Sequence, residues 1–227
     1  MEDAVIVSAA RTAIGAFGGM FKDVKAKELG RLVTEEALKR AGIEDKSVVD
    51  DVIFGNCMPR NDEINIARCI SLEAGIPFTT PATTVQRQCS SGMQAIVFGM
   101  QQIQTGENEI VVAGGVENMS RVPYCLYEMR WGKKNRDATC VDTLFQGLTD
   151  PLGGFLMGIT AENLAAKYDI SREEQDEIAY ISHTRCAKAI DDGKFKDEII
   201  PVEVPRRKKD PLVCDTDEHV RRDISKE

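Results

Sequence analysis

The sequence predicts an α/β fold, because short apolar runs alternate with longer segments of helical period. Two observations carry that prediction. Ala4-Val-Ile-Val-Ser-Ala9, Val52-Ile-Phe-Gly55-Asn56 and Glu109-Ile-Val-Val-Ala113 are each short and apolar enough to be buried strands. Between them, Lys27–Ala41 and Asn65–Ala74 space their apolar residues as helices do.

Composition narrows the class. The chain has 227 residues, 42% of them hydrophobic, an ordinary share for a globular protein of one large or two small domains. A net charge of −8 argues against a general nucleic-acid or membrane-surface role. No apolar run approaches the ~20 residues that span a bilayer. Met-Glu-Asp-Ala-Val-Ile-Val lacks the pattern of a secretory signal. The seven cysteines are odd in number and irregular in spacing, without metal-like pairing. They suit reduced thiols in a cytoplasmic setting, and no metal site is expected.

In chain order, the first strand runs into Arg11-Thr-Ala-Ile-Gly15-Ala-Phe-Gly18-Gly19. Its glycines imply a turn, and the string fits neither common phosphate-cradling pattern. Leu29, Leu32, Val33 and Leu38 give the first helix its apolar face, and Gly42 is its stop. The second helix ends at Gly75 with Pro77 beyond.

Thr84-Val-Gln-Arg-Gln-Cys89-Ser-Ser-Gly92-Met-Gln-Ala begins as a β-like run, turns through Cys89–Gly92, and becomes helix-periodic to about Thr105. A cysteine where a strand hands over to a helix meets free backbone N–H groups and the positive end of the helix dipole, which favour a thiolate. Small neighbours leave room for a substrate carbonyl. A nucleophile that becomes acylated fits this position. A cysteine filling space ahead of a core helix fits it too.

Gly114-Gly115-Val-Glu117-Asn118-Met119-Ser120 leaves the next strand. Glu117 suits a catalytic acid or, more commonly at such a turn, an acceptor of backbone hydrogen bonds. Residues 121–143 mix aromatics, charges and cysteines without periodicity, and Trp131-Gly-Lys-Lys-Asn-Arg136 is a small basic cluster. Ser171-x-x-Glu174 is a capping box opening a helix to about Ile190, on which His183 reads as a surface residue. Glu198–Val204 reads as an edge strand because Pro201 cannot donate to a ladder. Arg206-Arg-Lys-Lys209 is a compact basic turn.

These strings resemble the N-terminal part of thiolases, acetyl-CoA C-acyltransferases. The nucleophile motif of that family reads V-N-R-x-C-x-S-G-x-Q-A. Val85, Arg87, Cys89, Ser91, Gly92, Gln94 and Ala95 match it, with Gln86 in place of the asparagine. The opening resembles R-T-P-x-G-x-F-x-G, with Ala13 at the proline. The family's G-Q-N-x-A-R is met by Asn65, Ala67 and Arg68, with Glu63 and Ile64 at the first two positions. Gly-Gly-x-Glu-x-Met-Ser at 114–120, Gly147-Leu-Thr-Asp150 and Met157-Gly-Ile-Thr-Ala-Glu-Asn163 match as well. Some short-chain members carry a histidine just before that methionine, where Leu156 stands here.

The resemblance implies a thiolase-like N-terminal α/β/α core over residues 1–118 and an inserted α+β lid over 119–227, both incomplete. Cys89 would be the nucleophile. Leu148 and Met157 would line the pantetheine and acyl tunnel of coenzyme A. Arg221, in Asp217-Glu-His-Val-Arg221, would lie near the adenine and 3′-phosphate end.

The implied chemistry is reversible acyl-CoA and acetyl-CoA condensation, or thiolysis of a 3-ketoacyl-CoA, through an acyl-cysteine. Coenzyme A thioesters are substrates, and no separate cofactor is implied. The family's second domain carries a G-H-P histidine and a C-x-G-G cysteine, and neither string occurs in this sequence. The sequence therefore reads as an N-terminal portion or subunit that needs a C-terminal thiolase half for turnover, assembled as a homodimer or higher oligomer. The alternative is a non-catalytic thiolase-like module that binds coenzyme A or a partner. A decarboxylating condensing enzyme fits less well, because the Met157–Asn163 string points to thiolases.

Overall fold

A computed structural model describes residues 3–225. The described chain divides into two compact units. One runs to Arg121 and takes in Phe195–Glu218; the other is Val122–Lys194 with the residues from His219 onward.

The first unit holds β1 (Arg11–Thr12), α1 (Ala26–Arg40), β2 (Asp51–Gly55), α2 (Ile66–Glu73), β3 (Ala82–Val85), α3 (Ser91–Gln104) and β4 (Val111–Gly115). The sheet is parallel, in the order β3-β2-β4, with Ile53 of β2 facing Thr83 on one side and Ala113 on the other. The central strand β2 is buried throughout, as its run of apolar residues requires. Helix α1 packs closely on α2: a Cβ at Gly30 would lie 2.3 Å from Ile70 Cδ1. Asn65 caps α2 by accepting from Arg68 N, and Gly75 closes it at φ 77°.

The expected buried strand at Ala4–Ala9 does not form. Val5, Ile6 and Val7 are 74%, 81% and 72% exposed, and strand pairing starts only at Arg11. An apolar run becomes a strand only where a neighbouring edge takes up its N–H and C=O groups. This segment is instead tied to α1, where Ser8 Oγ donates to Ala37 O at 2.7 Å and Arg40 donates to Ala9 O at 2.9 Å.

The second unit holds β5 (Tyr124–Cys125) and β6 (Val141–Asp142), paired antiparallel, then α4 (Thr143–Gly147), α5 (Met157–Lys167) and α6 (Arg172–Asp191). Ser171 and Glu174 form the expected capping box at the start of α6. Among the described residues, every buried apolar side chain belongs to the first unit.

The chain then returns to the first unit with β7 (Ile199–Ile200), β8 (Val202–Arg206) and β9 (Lys209–Cys214). The sequence grouped these residues with the second segment. They pack on the first unit because β7 runs parallel to β1, with Arg11 opposite Ile199, while Val202, Val204 and Cys214 join the core around Leu29. Pro201 divides the expected single edge strand in two, and the basic turn joins β8 to β9 as a hairpin with Lys208 at φ 58°.

Two carboxylates secure that return. Arg11 donates to Asp217 at 2.8 and 3.1 Å, and Ile14 N donates to the same carboxylate at 2.8 Å. Glu218 accepts from Ala16 N at 2.8 Å and Met20 N at 3.0 Å. A Cβ at Gly19 would sit 2.2 Å from Glu218 Oε2, so the glycine-rich loop wraps a carboxylate of its own chain. Burial pushes the Asp217 carboxyl up, but the Arg11 guanidinium and the Ile14 N–H outweigh it and hold it below its ordinary value.

Candidate active site

The three parallel strands deliver their C-terminal ends to one edge, the usual place for a site in such a sheet. β2 leads into Asn56-Cys57-Met58, β3 into Gln86–Ser90, and β4 into Val116-Glu117. Backbone bonds continue the sheet order past the strand ends, from Asn56 N to Val85 O and from Val116 N to Gly55 O, both 3.0 Å.

Cys89 lies on the turn between β3 and α3, the strand-to-helix position that the sequence expected, and it is exposed rather than packed ahead of the helix. Ser90 N donates to Arg87 O at 3.2 Å and Ser91 N to Gln88 O at 3.0 Å, which folds the turn tightly. The buried Ser91 hydroxyl accepts from Arg87 N at 2.8 Å and donates to Gln88 O. Arg87 also donates to Gln94, one turn into the helix. The Ser90 side chain does not cap α3, so the positive end of the helix is left to whatever approaches Cys89.

Glycines let this helix start rest on the sheet. A Cβ at Gly55 would lie 2.2 Å from the carbonyl carbon of Ser91, and one at Gly115 would lie 2.9 Å from Gly92 Cα. No larger residue fits at the end of β2 while α3 begins where it does.

Glu117 takes the structural role that its position favoured. It accepts from Asn56 Nδ2 at 3.0 Å, Cys57 N at 2.7 Å and Met58 N at 3.3 Å. Burial pushes its carboxyl above the ordinary value, and these three donors oppose that rise. Cys57, which sequence reading passed over, donates from its thiol to Gln88 Oε1 at 3.3 Å. Its signal was positional: it stands two residues past a strand end, on the edge that Cys89 shares.

The other expected site residues lie in the second unit. Leu148 and Met157 are neighbours there, with Met157 N donating to Leu148 O at 3.2 Å across a loop closed by the Thr149–Leu156 bridge. Met157 is about half exposed. Arg221 lies in the segment after β9, outside any helix, and its backbone N–H donates to His183 Nδ1 of α6 at 3.1 Å, while its neighbour Arg222 pairs with Asp191 at 2.7 Å. His183 therefore has a partner that its sequence context did not reveal. Among the described residues, no group of three or more His, Cys, Asp or Glu side chains is arranged to hold a metal.

Fold and site together define an α/β protein that presents a cysteine at a strand-to-helix elbow. The family model for the thiolase N-terminal domain matches residues 4–227, and the chain belongs to that family. It is 45% identical to a Staphylococcus aureus protein named "Probable acetyl-CoA acyltransferase", covering all of this chain and 58% of that one. It is 46% identical to the beta-ketothiolase BktB of Cupriavidus necator, covering 99% of this chain and 57% of that one. The crystal structure of the Bacillus anthracis acetyl-CoA acetyltransferase superposes with a TM-score of 0.96 at 49% identity, over the whole of this chain and 57% of that one. The chain thus spans under two thirds of the length of these relatives and has the thiolase-like α/β fold over that span.

Proposed function

We propose that this chain supplies the nucleophilic half of a thiolase-type acyltransferase, with Cys89 as the residue that is acylated. The observation that carries this reading is the exposed Cys89 on the elbow between β3 and α3, at the shared edge of three parallel strands. The names of its relatives support the substrate class, coenzyme A thioesters.

In the first stage the Cys89 thiolate attacks the thioester carbonyl carbon, and collapse of the adduct expels the coenzyme A thiolate. The acyl group is left on Sγ. The Cys89 backbone N–H supplies one donor to the intermediate oxyanion, a contact typically worth about 3 kcal/mol. In the second stage acetyl-CoA loses a methyl proton, its carbanion attacks the acyl-cysteine carbonyl carbon, and collapse of that adduct breaks the bond to Sγ, releasing the 3-ketoacyl-CoA and the Cys89 thiolate. The C-x-G-G cysteine of a C-terminal thiolase half is the base that takes the methyl proton, and the G-H-P histidine of that half helps activate the Cys89 thiolate. Leu148 and Met157 meet the pantetheine and acyl chain, and Arg221 meets the nucleotide end.

The exposed apolar run Val5–Val7, with Met93 and Ile96 on α3, supports an assembled state, a homodimer or a complex with the C-terminal half. All seven cysteines are free, which supports a cytoplasmic setting. No helix among the described residues is long and apolar enough to cross a membrane.

The test is thiolysis of acetoacetyl-CoA by the chain, with and without an added C-terminal thiolase half. Turnover that requires both pieces and is abolished by Cys89→Ala is the expected result. Binding of coenzyme A with no turnover under either condition would point to the non-catalytic module.

A further inference from the structure

Gln88 is held in the left-handed region at φ 50°, a conformation that L side chains rarely adopt. It immediately precedes Cys89, so its backbone aims the nucleophile. Its carboxamide oxygen accepts the Cys57 thiol, and its N–H donates to Gln86 Oε1 at 3.4 Å. Gln86 Nε2 in turn donates to Cys57 O at 3.4 Å. On its other side Cys57 is fixed by Glu117, which accepts its N–H at 2.7 Å. Cys57, Gln86 and Gln88 thus close a ring of contacts, with the ends of β2 and β4 as its base.

We propose that Cys57 is a positioning residue for Cys89, acting through the left-handed conformation of Gln88. This rests on Cys89 being the nucleophile. Burial, then the charge of Glu117, pushes the Cys57 thiol up, which keeps it an S–H donor when Cys89 reacts. Gln86, at the position where the nucleophile motif carries asparagine, spans between Cys57 O and Gln88 N and so completes the same ring.

The experiment measures the rate of Cys89 carboxamidomethylation in the full chain, by peptide mapping under limiting iodoacetamide. Cys57→Ala is expected to slow labelling of Cys89 by about threefold or more, because the thiolate is no longer presented by a fixed turn. Cys57→Ser retains a donor and is expected to recover most of the rate. In a Gln88→Gly background, Cys57→Ala is expected to have no further effect, since glycine adopts positive φ unaided. Cys57→Val is a second variant without a strong donor if alanine at this position fails to fold, with far-UV circular dichroism as the check.

An unchanged or faster Cys89 rate in Cys57→Ala, no recovery with serine, or equal slowing in both backgrounds would overturn the proposal. The underlying reading fails separately. If another cysteine is labelled before Cys89 in the unsubstituted chain, Cys89 is not the activated thiol, whatever Cys57 does.

Discussion

Gly55 and Ser91 meet backbone to backbone: a Cβ on Gly55 would stand 2.2 Å from the Ser91 carbonyl carbon and 2.3 Å from Gly92 N. The end of the central strand therefore sets where the helix behind Cys89 can begin. Gly55→Ala must push α3 off the sheet or distort β2, because neither contact is with a flexible side chain. The expected loss is about 3 kcal/mol, at the upper end for overpacking. A lower urea midpoint at unchanged slope would register it. Gly158, inside α5, has nothing within 4 Å of its Cβ position. Gly158→Ala should stabilise that helix by about 0.5–1 kcal/mol, read as slower amide exchange in α5.

Glu117 satisfies three donors from one loop. Glu117→Ala leaves them without an acceptor at a half-buried position, for an expected loss of about 2 kcal/mol. Glu117→Gln keeps an oxygen for the two backbone N–H groups and should cost clearly less. Equal losses for the two variants, measured by denaturant unfolding, would show that the carboxylate does not hold the loop through these bonds.

The Arg11–Asp217 pair makes stability depend on acid. The folded Asp217 carboxyl is held below its ordinary value of 3.8. Its stabilisation is therefore fully present above that value and disappears as pH falls through the lower folded value. Asp217→Asn should be less stable than the unsubstituted chain at neutral pH by about 1 kcal/mol, a modest figure because the guanidinium is partly exposed. The gap should narrow as pH drops through about 4 and below. A gap that stays constant over that range, in urea midpoints taken at each pH, would exclude this origin.

The second unit has no fully buried apolar side chain among the described residues, whereas the first holds three apolar clusters. In the isolated chain, amides of α4, α5 and α6 should exchange well before those of β2 and α2. Comparable protection in both units, by exchange mass spectrometry, would contradict this ordering.

Much of the first unit was legible because its signals are local. The period of Leu29 and Leu38, the Asn65 cap and the Gly75 stop lie within a turn or two of the helices they define. The elbow at Cys89 was legible for the same reason, since strand, turn and helix follow one another in a single stretch. Glu117 was visible as an acceptor, but its donors were not, because Asn56 and Cys57 lie about 60 residues away in sequence.

The sequence by itself determined the family, the α/β alternation, the boundaries of the longer helices and the strand-to-helix elbow at Cys89, because periodicity, caps and motif spacing act over short stretches. Only the tertiary structure decided that Ala4–Ala9 forms no strand, that Phe195–Glu218 packs with the first unit, and that Cys57 reaches Gln88. Each of these depends on a partner elsewhere in the chain. An apolar run needs an edge to pair with, a glycine loop needs a carboxylate to wrap, and a thiol needs an acceptor brought to it by folding.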